Sequence, residues 1–432
     1  MVLAALVLLA GLYFSWKTHF CQRRCLALSL RALGQGGEAG VSPLEALGAA
    51  LSGTMGVGTL LAVGTALRLG GPGALVWMWA GGFLGMAVKY GETYLCLRHR
   101  APSPGGAGRE AAGPMAVLQG ACRRPGWARA YAFFCLCACL FSIGNMSQAR
   151  ALSTVLQANT ALSPLACAGL LLAALLPLAC LGPARLGRLC GVVFPAVALL
   201  FACGCLLCLW CCRQALPGVL AAVLAEGLSP RAFLSGAGWA ALRYGVSRGV
   251  FSNEAGLGTS AMAHALAGAR DPKAQAGLGM AEVFLNTHLL CTLAALVLLC
   301  APGGLQDQDG ARLALNAFGA VLGRPGRLLV SGMVVFFGLS TMPVWLLYGR
   351  RAAAFLLPRA PARPLAAGFG GLYLLCAFLG ALAGTELLWR AADLLNLGLC
   401  VPNLYMLFLR REEIAASLER EGKGRRGARG RG

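Results

Sequence analysis

Apolar residues run through this chain in blocks, not in the alternation of half-buried strands. Blocks of roughly fifteen to thirty residues recur near 2–16, 43–69, 73–97, 127–155, 163–181, 189–212, 236–265, 276–300, 327–349, 365–384 and 387–409. A helix of about 20 apolar residues crosses the hydrocarbon core of a bilayer. The pattern therefore predicts an all-α polytopic membrane protein of about eleven transmembrane helices. The intervening polar stretches are too short for a soluble domain, so residues 1–409 are expected to form one integral membrane domain. Residues 214–235 are less apolar and contain Pro217 and Pro230. They predict an amphipathic segment outside the bilayer, not a span.

Two blocks break their own pattern. In ALSGTMGVGTLLAVGTALRLGGPG, from Ala50, four glycines (Gly53, Gly56, Gly58 and Gly64) fall within twelve residues. In GVFSNEAGLG (249–258), three glycines flank Asn253 and Glu254. Each glycine inside a helix costs about 1 kcal/mol relative to alanine, so both clusters predict local unwinding. Unwinding in a bilayer frees backbone N–H and C=O groups, which are tolerated only where they line a cavity or bind something. Half-helix N-termini attract anions, while freed carbonyls and half-helix C-termini attract cations. A zwitterionic amino acid with a co-transported cation answers both needs. The competing reading is close helix packing through small residues. Asn253 and Glu254 favour the binding site, because buried ionisable groups in membranes usually serve transport.

Composition agrees with the hydrophobic pattern. The 432 residues are 58% hydrophobic and 12% charged, with a mean hydropathy of +0.69; soluble domains carry about 25% charged residues. The net charge of +21 would suggest nucleic acid on a soluble protein. Here the basic residues cluster between apolar blocks and in the tail, so no nucleic-acid partner is expected. With the amino terminus outside, the cytoplasmic loops 17–42, 98–126, 182–188, 266–275 and 350–364 hold most of them, including Arg109 and Arg270. The acidic stretch LQDQDG (305–310) falls outside. This is the positive-inside bias, against which Arg213, Arg231, Arg312 and Arg324 run. Residues 410–432 predict a disordered basic cytoplasmic tail. Lys17, Arg23 and Arg24 follow the first apolar block instead of preceding it, which predicts a first span and not a cleaved signal peptide. Most of the 19 cysteines lie inside apolar blocks, and none has zinc-ligand spacing with nearby histidines. The four histidines form no nucleophile–base pair. The chain does not read as an enzyme, nor as a channel with repeated polar rings.

The stretch RYGVSRGVFSNEAGLGTSAMAHA (243–265) closely resembles the signature of the alanine or glycine:cation symporter family. So do residues 50–92, GLYFSWKTHFCQ (11–22), VSPLEAL (41–47), GPM (113–115), GNMSQA (144–149), LSTMPVW (339–345) and ADLLNLGLCVPN (392–403), in family order over nearly the whole chain. The resemblance implies a LeuT-type fold: a 5+5 inverted repeat with an extra N-terminal helix, the broken spans being the first and sixth core helices. It implies inward symport of small neutral amino acids, mainly alanine and glycine, by a monomer in the plasma (inner) membrane. No cofactor is implied beyond sodium as coupling ion, with a proton as alternative. A proton-coupled carrier of another neutral amino acid, such as glutamine or serine, is the rival within the class.

Carried over residue by residue, the resemblance places the backbone amides of Val57 and Gly58 on the substrate carboxylate. The Thr54 carbonyl, Phe251 and Asn253 surround its ammonium and side chain, and Gln148 projects into the same cavity. Trp345 caps the small side chain. The carbonyls of Ser52, Met55 and Phe337 and the hydroxyls of Ser340 and Thr341 form the ion site; apart from the resemblance, both hydroxyls read as back-bonded to helix carbonyls. Glu254 is either a gating, proton-linked carboxylate or a helix cap.

The chain also departs from the family. Thr59, in GVGT, stands where an asparagine that could fix the substrate is usual. Arg150 replaces a polar residue, and either steers carboxylates or snorkels to the surface. Arg350 replaces a glutamate, and Pro343 stands where it can kink its helix. Elsewhere, Lys89 and Glu92 predict a structural ion pair. Glu282 and Asn286 predict a hydrogen-bonded interior cluster on one helix face that His288 does not share. Asp393 and Asn396 read as scaffold for the last helix, and His264 as packing at the cytoplasmic end.

Overall fold

A computed structural model describes residues 2–34, 41–102, 110–111, 113–269, 271–303, 305 and 310–419. Arg109, Arg270, positions 306–309 of the acidic stretch and residues 420–432 of the expected tail lie outside the described residues.

The chain folds almost wholly into helices, which satisfy every peptide group within one segment, as a bilayer demands. One short antiparallel pairing, Ala101–Pro102 with Glu110–Ala111, is the exception. Helix α1 (Val2–Lys17) turns through left-handed residues His19 and Phe20 and, bent by 66°, leads into α2 (Cys25–Leu33). The first glycine-rich block becomes α3 (Pro43–Thr54) and α4 (Gly58–Gly70), bent by 44°. A capping box starts α3: the Glu45 N–H donates to Ser42 Oγ (3.2 Å), and the Ser42 N–H donates to the Glu45 carboxylate (2.7 Å). Pro43 follows in the first turn, where its missing N–H is harmless.

Helix α5 (Ala74–Arg98) is uninterrupted, and the short α6 (Pro114–Gln119) follows. The block expected as one span at 127–155 is one candidate span, Pro125–Asn159, made of α7 (Pro125–Phe141) and α8 (Met146–Asn159) joined by a turn at 142–145. Next come α9 (Pro164–Ala179) and α10 (Pro183–Cys211). The segment 214–235 folds into α11 (Leu216–Leu228) and α12 (Pro230–Leu234). The second glycine-rich block becomes α13 (Ala237–Asn253) and a single turn, α14 (Ala261–His264). Helix α15 (Pro272–Val283) widens into π-helical turns over Phe284–Cys291 and recovers as α16 (Thr292–Cys300). Then follow α17 (Gly310–Leu322), α18 (Arg324–Leu356), which runs through Pro343 unbroken, α19 (Ala362–Leu382) and α20 (Thr385–Leu409).

Among the described residues six helices are long and apolar enough to cross a membrane, or eight if each bent pair is one span. The other expected spans are shorter or less apolar. Helix α9 has 16 residues, and the second broken helix is cut short at Asn253. Residues 411–419, expected to begin a disordered tail, form a helix whose Ile414 and Leu418 are buried. Arg24 donates to the Leu418 carbonyl (2.8 Å), and Tyr90 and Ser417 hydroxyls lie 2.9 Å apart. The Lys17–Glu412 pair at 2.9 Å holds the Glu412 carboxyl below its ordinary range.

The two broken helices lie together. Helix α13 packs on α4 and α5, α15 packs on α5 and α2, and α18 packs on α7 and α3. A main-chain bridge joins the broken helices' far ends, the Gly268 N–H donating to the Val41 carbonyl at 2.9 Å.

Candidate functional site

The first interruption is three residues long, Met55 to Val57, and buried. Its released groups are met by neutral side chains from two neighbouring helices. The Val57 N–H donates to Gln148 Oε1 (2.9 Å), and Gln148 Nε2 donates to the Ile143 carbonyl (2.9 Å) in the turn before α8. The Thr341 hydroxyl donates to the Ser52 carbonyl (2.6 Å), and the Trp345 indole N–H donates to the Gly53 carbonyl (3.1 Å). Only glycine fits at position 56, where a Cβ would lie 2.6 Å from both Gln148 Nε2 and Thr341 Oγ1. The Trp345 ring lies against the 142–145 turn, where a Cβ on Gly144 would sit 2.3 Å from it.

The structure thus brings Ser52, Gln148, Thr341 and Trp345 to one place with Val57. Phe337 and Ser340 lie on the same helix, and the Ser340 hydroxyl back-bonds to the Phe337 carbonyl (3.1 Å). The Thr54 hydroxyl also back-bonds, to the Ala50 carbonyl (3.0 Å). Phe251 lies over Gly58, where a Cβ would stand 3.0 Å from its ring. Thr59 reaches away from the break, its hydroxyl donating to Asn286 Oδ1 (3.3 Å).

The second interruption spans 254–260 and is braced by charge. Glu254 begins it in the left-handed region (φ 54°), and Gly256 and Gly258 have φ of 92° and 72°, conformations that favour glycine. Asn253 faces inward to the scaffold: its Oδ1 accepts from the Ala255 N–H and its Nδ2 donates to Thr287 Oγ1, both at 2.9 Å. The Glu254 carboxylate accepts from the Thr259 hydroxyl across the break. Glu92 Oε1 accepts from the Gly256 N–H (2.8 Å) and from Asn403 Nδ2 (2.6 Å), which also donates to the Gly256 carbonyl (2.9 Å). The Tyr131 hydroxyl donates to the Leu257 carbonyl (2.8 Å).

The expected Lys89–Glu92 pair (3.9 Å) is one arm of a larger cluster. Lys89 Nζ also lies 3.7 Å from Glu282 Oε1 and donates to Ser260 Oγ (2.6 Å). His264 is part of it: its Nε2 lies 2.9 Å from Glu282 Oε2, and Gln275 Nε2 lies 2.9 Å from its Nδ1. With the Gln275 amide so oriented, Nδ1 accepts and the ring proton sits on Nε2, facing the carboxylate. Lys89, Glu92, Glu282 and His264 are fully buried. Asn286 belongs to a different group, donating to the Ser252 carbonyl (2.6 Å) from the π-helical segment. His288 points elsewhere, its Nε2 lying 3.1 Å from the Trp79 carbonyl. Asp393 pairs with Arg248 (2.7 Å), whose guanidinium lies 4.3 Å above the Trp389 ring; Trp389 in turn packs against Phe251 at 4.6 Å.

The sequence points to a Lys89–Glu92 pair and a Glu282–Asn286 cluster, with Glu254 and His264 apart, and gives Tyr131, Tyr373 and Asn403 no role. The signal was there: each is a polar group inside an apolar block. The Tyr373 hydroxyl lies within hydrogen-bond reach of the carbonyls of Gly144 (2.6 Å) and Met342 (2.7 Å) and shares its one proton between them, tying the unforeseen 142–145 turn to α18.

Several helices long and apolar enough to cross a membrane, beside two opened helices packed around polar groups, suit a multi-pass membrane protein, and the family match makes it a transporter of the amino acid:cation symport class. The chain belongs to the sodium:alanine symporter family, whose model matches residues 1–425. It is 33% identical over 418 residues to the sodium/alanine symporter AgcS of Methanococcus maripaludis, covering 94% of this chain and 90% of that one. It is 25% identical over 423 residues to a probable sodium/glutamine symporter, GlnT, of Bacillus subtilis (97% and 87%). It is 26% identical over 401 residues to a putative sodium/proton-dependent alanine carrier, YrbD, of the same organism (89% and 82%).

Proposed function

We propose that the protein is a sodium-coupled symporter of small neutral amino acids, alanine and glycine foremost, working as a monomer by alternating access in the plasma membrane. Its amino terminus lies outside and its carboxyl terminus in the cytoplasm. The eleven spans are α1; the joined α3–α4; α5; the joined α7–α8; α9; α10; the joined α13–α14; α15–α16; α18; α19; and α20. They form a LeuT-type arrangement in which α3–α4 and α13–α14 begin the two inverted repeats.

The observation that carries this reading is the Val57–Gln148 hydrogen bond. A neutral side-chain oxygen there accepts from a main-chain N–H at the start of a half-helix, 2.9 Å away. A substrate carboxylate oxygen takes that position better, because a charged acceptor roughly doubles the strength of the bond and the half-helix N-terminus favours an anion. Gln148 then turns to the substrate. Phe251 and Trp345 close the pocket over a small side chain, the Thr54 carbonyl completes it, and Asn253, its amide held by Thr287 and the Ala255 N–H, fixes the pocket wall at the second break. Thr59 supports the pocket through Asn286. The cation sits among Ser52, Met55, Phe337, Ser340 and Thr341; two of those oxygens, Ser52 O and Thr341 Oγ1, already lie 2.6 Å apart.

A proton-coupled carrier of another neutral amino acid, such as glutamine or serine, is the second reading. The buried Lys89–Glu92–Glu282–His264 cluster, with Glu254 beside it, favours that reading because it is ionisable. Radiolabelled alanine uptake into proteoliposomes under separately imposed sodium, lithium and proton gradients decides between them. Sodium alone should drive accumulation. Accumulation of alanine, or of labelled glutamine or serine in the same assay, driven by protons in the absence of sodium selects the second reading, and no uptake of any of the three under either gradient defeats both.

A further inference from the structure

Helices α4, α8, α17 and α20 enclose a narrow cavity lined by Leu61, Ser147, Arg150, Thr154, Thr385 and Trp389, among others. Its free volume of about 20 Å³ holds roughly one water. The lining includes one permanent cation and three hydroxyl side chains, and no carboxylate. Arg150 is only partly buried, but its Nε is fully buried and makes no hydrogen bond among the described residues. Hydroxyls cannot neutralise a guanidinium, so an anion that enters the cavity meets a counter-charge with a free, buried N–H. A guanidinium fits a carboxylate best, through two parallel N–H···O bonds.

The position of the cavity identifies which carboxylate. Trp389 lines it and packs on Phe251 (4.6 Å), and Phe251 lies on Gly58 at the first interruption. Two aromatic rings therefore separate the cavity from the proposed substrate site. Arg150 stands two residues from Gln148 on the same helix. Ser147 and Thr154 share the Arg150 face of α8 at helical spacing and offer oxygens to an ammonium. Leu61, Ala151 and Ala311 line the remainder, small or apolar residues beside a space the size of a water, so an amino acid enters only if the lining helices part.

We propose that Arg150 forms a staging site that binds the carboxylate of the incoming amino acid before Trp389 and Phe251 part to admit it. The inference rests on the symport reading above, and its test separates the two. Alanine uptake is measured against concentration for wild type, Arg150→Gln and Arg150→Lys, alongside equilibrium binding of labelled alanine to the purified proteins in sodium. Arg150→Gln should raise KM about tenfold, leave the maximal rate and the equilibrium affinity within about twofold, and be partly rescued by Arg150→Lys. A KM unchanged in Arg150→Gln overturns the site. So does a KM effect that vanishes at an ionic strength of about 0.5 M, where only long-range steering is screened out. If Arg150→Gln does not fold, Thr385→Val with Ser147→Ala substitutes for it, with a KM about threefold higher expected and an unchanged KM overturning the proposal. Absence of wild-type uptake under a sodium gradient would instead count against the symport reading.

Discussion

The two interruptions solve the same problem with opposite chemistry. At Met55–Val57 the released peptide groups are held by Gln148, Thr341 and Trp345, all neutral, each through one hydrogen bond. At 254–260 they are held by a network in which Glu92 alone accepts two bonds and Lys89 stands between two carboxylates. A neutral hydrogen bond contributes about 1 kcal/mol net and is readily exchanged for a ligand. A buried ion pair broken on one side leaves an uncompensated charge, at a cost of about 3–5 kcal/mol. In the proposed site the first break is therefore the exchangeable half, where substrate and cation would replace internal partners, and the second is the rigid half.

That contrast can be broken most severely at Lys89. Lys89→Met leaves Glu92 and Glu282 buried without their cation and should lower the unfolding temperature by more than any change at the first break. Lys89→Met combined with Glu282→Gln should recover part of the loss; thermal unfolding in detergent reads both. Gly56→Ala comes next. Its Cβ would press on Gln148 and Thr341, an overpacking of about 1–3 kcal/mol, and should cut uptake at least about tenfold with a smaller fall in unfolding temperature than Lys89→Met. Gly371→Ala, which meets open space, should be silent in both assays. Ser340→Ala with Thr341→Ala, and separately Asn253→Ala, should each reduce uptake at least about tenfold: the first removes two proposed cation ligands, and the second removes the two bonds, to Thr287 and from the Ala255 N–H, that hold the start of the second break. Only the hydroxyl pair should raise the sodium concentration for half-maximal uptake, because Asn253 braces the chain and does not face the cation. The smallest effect is expected from Trp345→Phe. It removes one neutral hydrogen bond to Gly53, about 1 kcal/mol, and should change the alanine KM only a few-fold.

Helical class, the positions of most blocks and both interruptions were legible because glycine clusters inside apolar blocks contradict helix so openly. The 142–145 turn was not. SIGN contains a single glycine, and it is the Tyr373 hydroxyl and the Trp345 ring, over 200 residues away, that hold the chain open there. The charged cluster was visible as separate residues but not as a unit. Glu92, His264 and Glu282 lie on three helices, and no local spacing links them. Pairing of this kind is set by tertiary packing, which the residues of one segment do not encode.

The most direct test of the account is a high-resolution structure determined in saturating alanine and sodium. Density for a carboxylate on the Val57 and Gly58 amides is predicted, with Gln148 Oε1 displaced from the Val57 N–H and the Lys89 cluster unchanged. A structure in which alanine is bound while the Val57–Gln148 bond remains intact would contradict it.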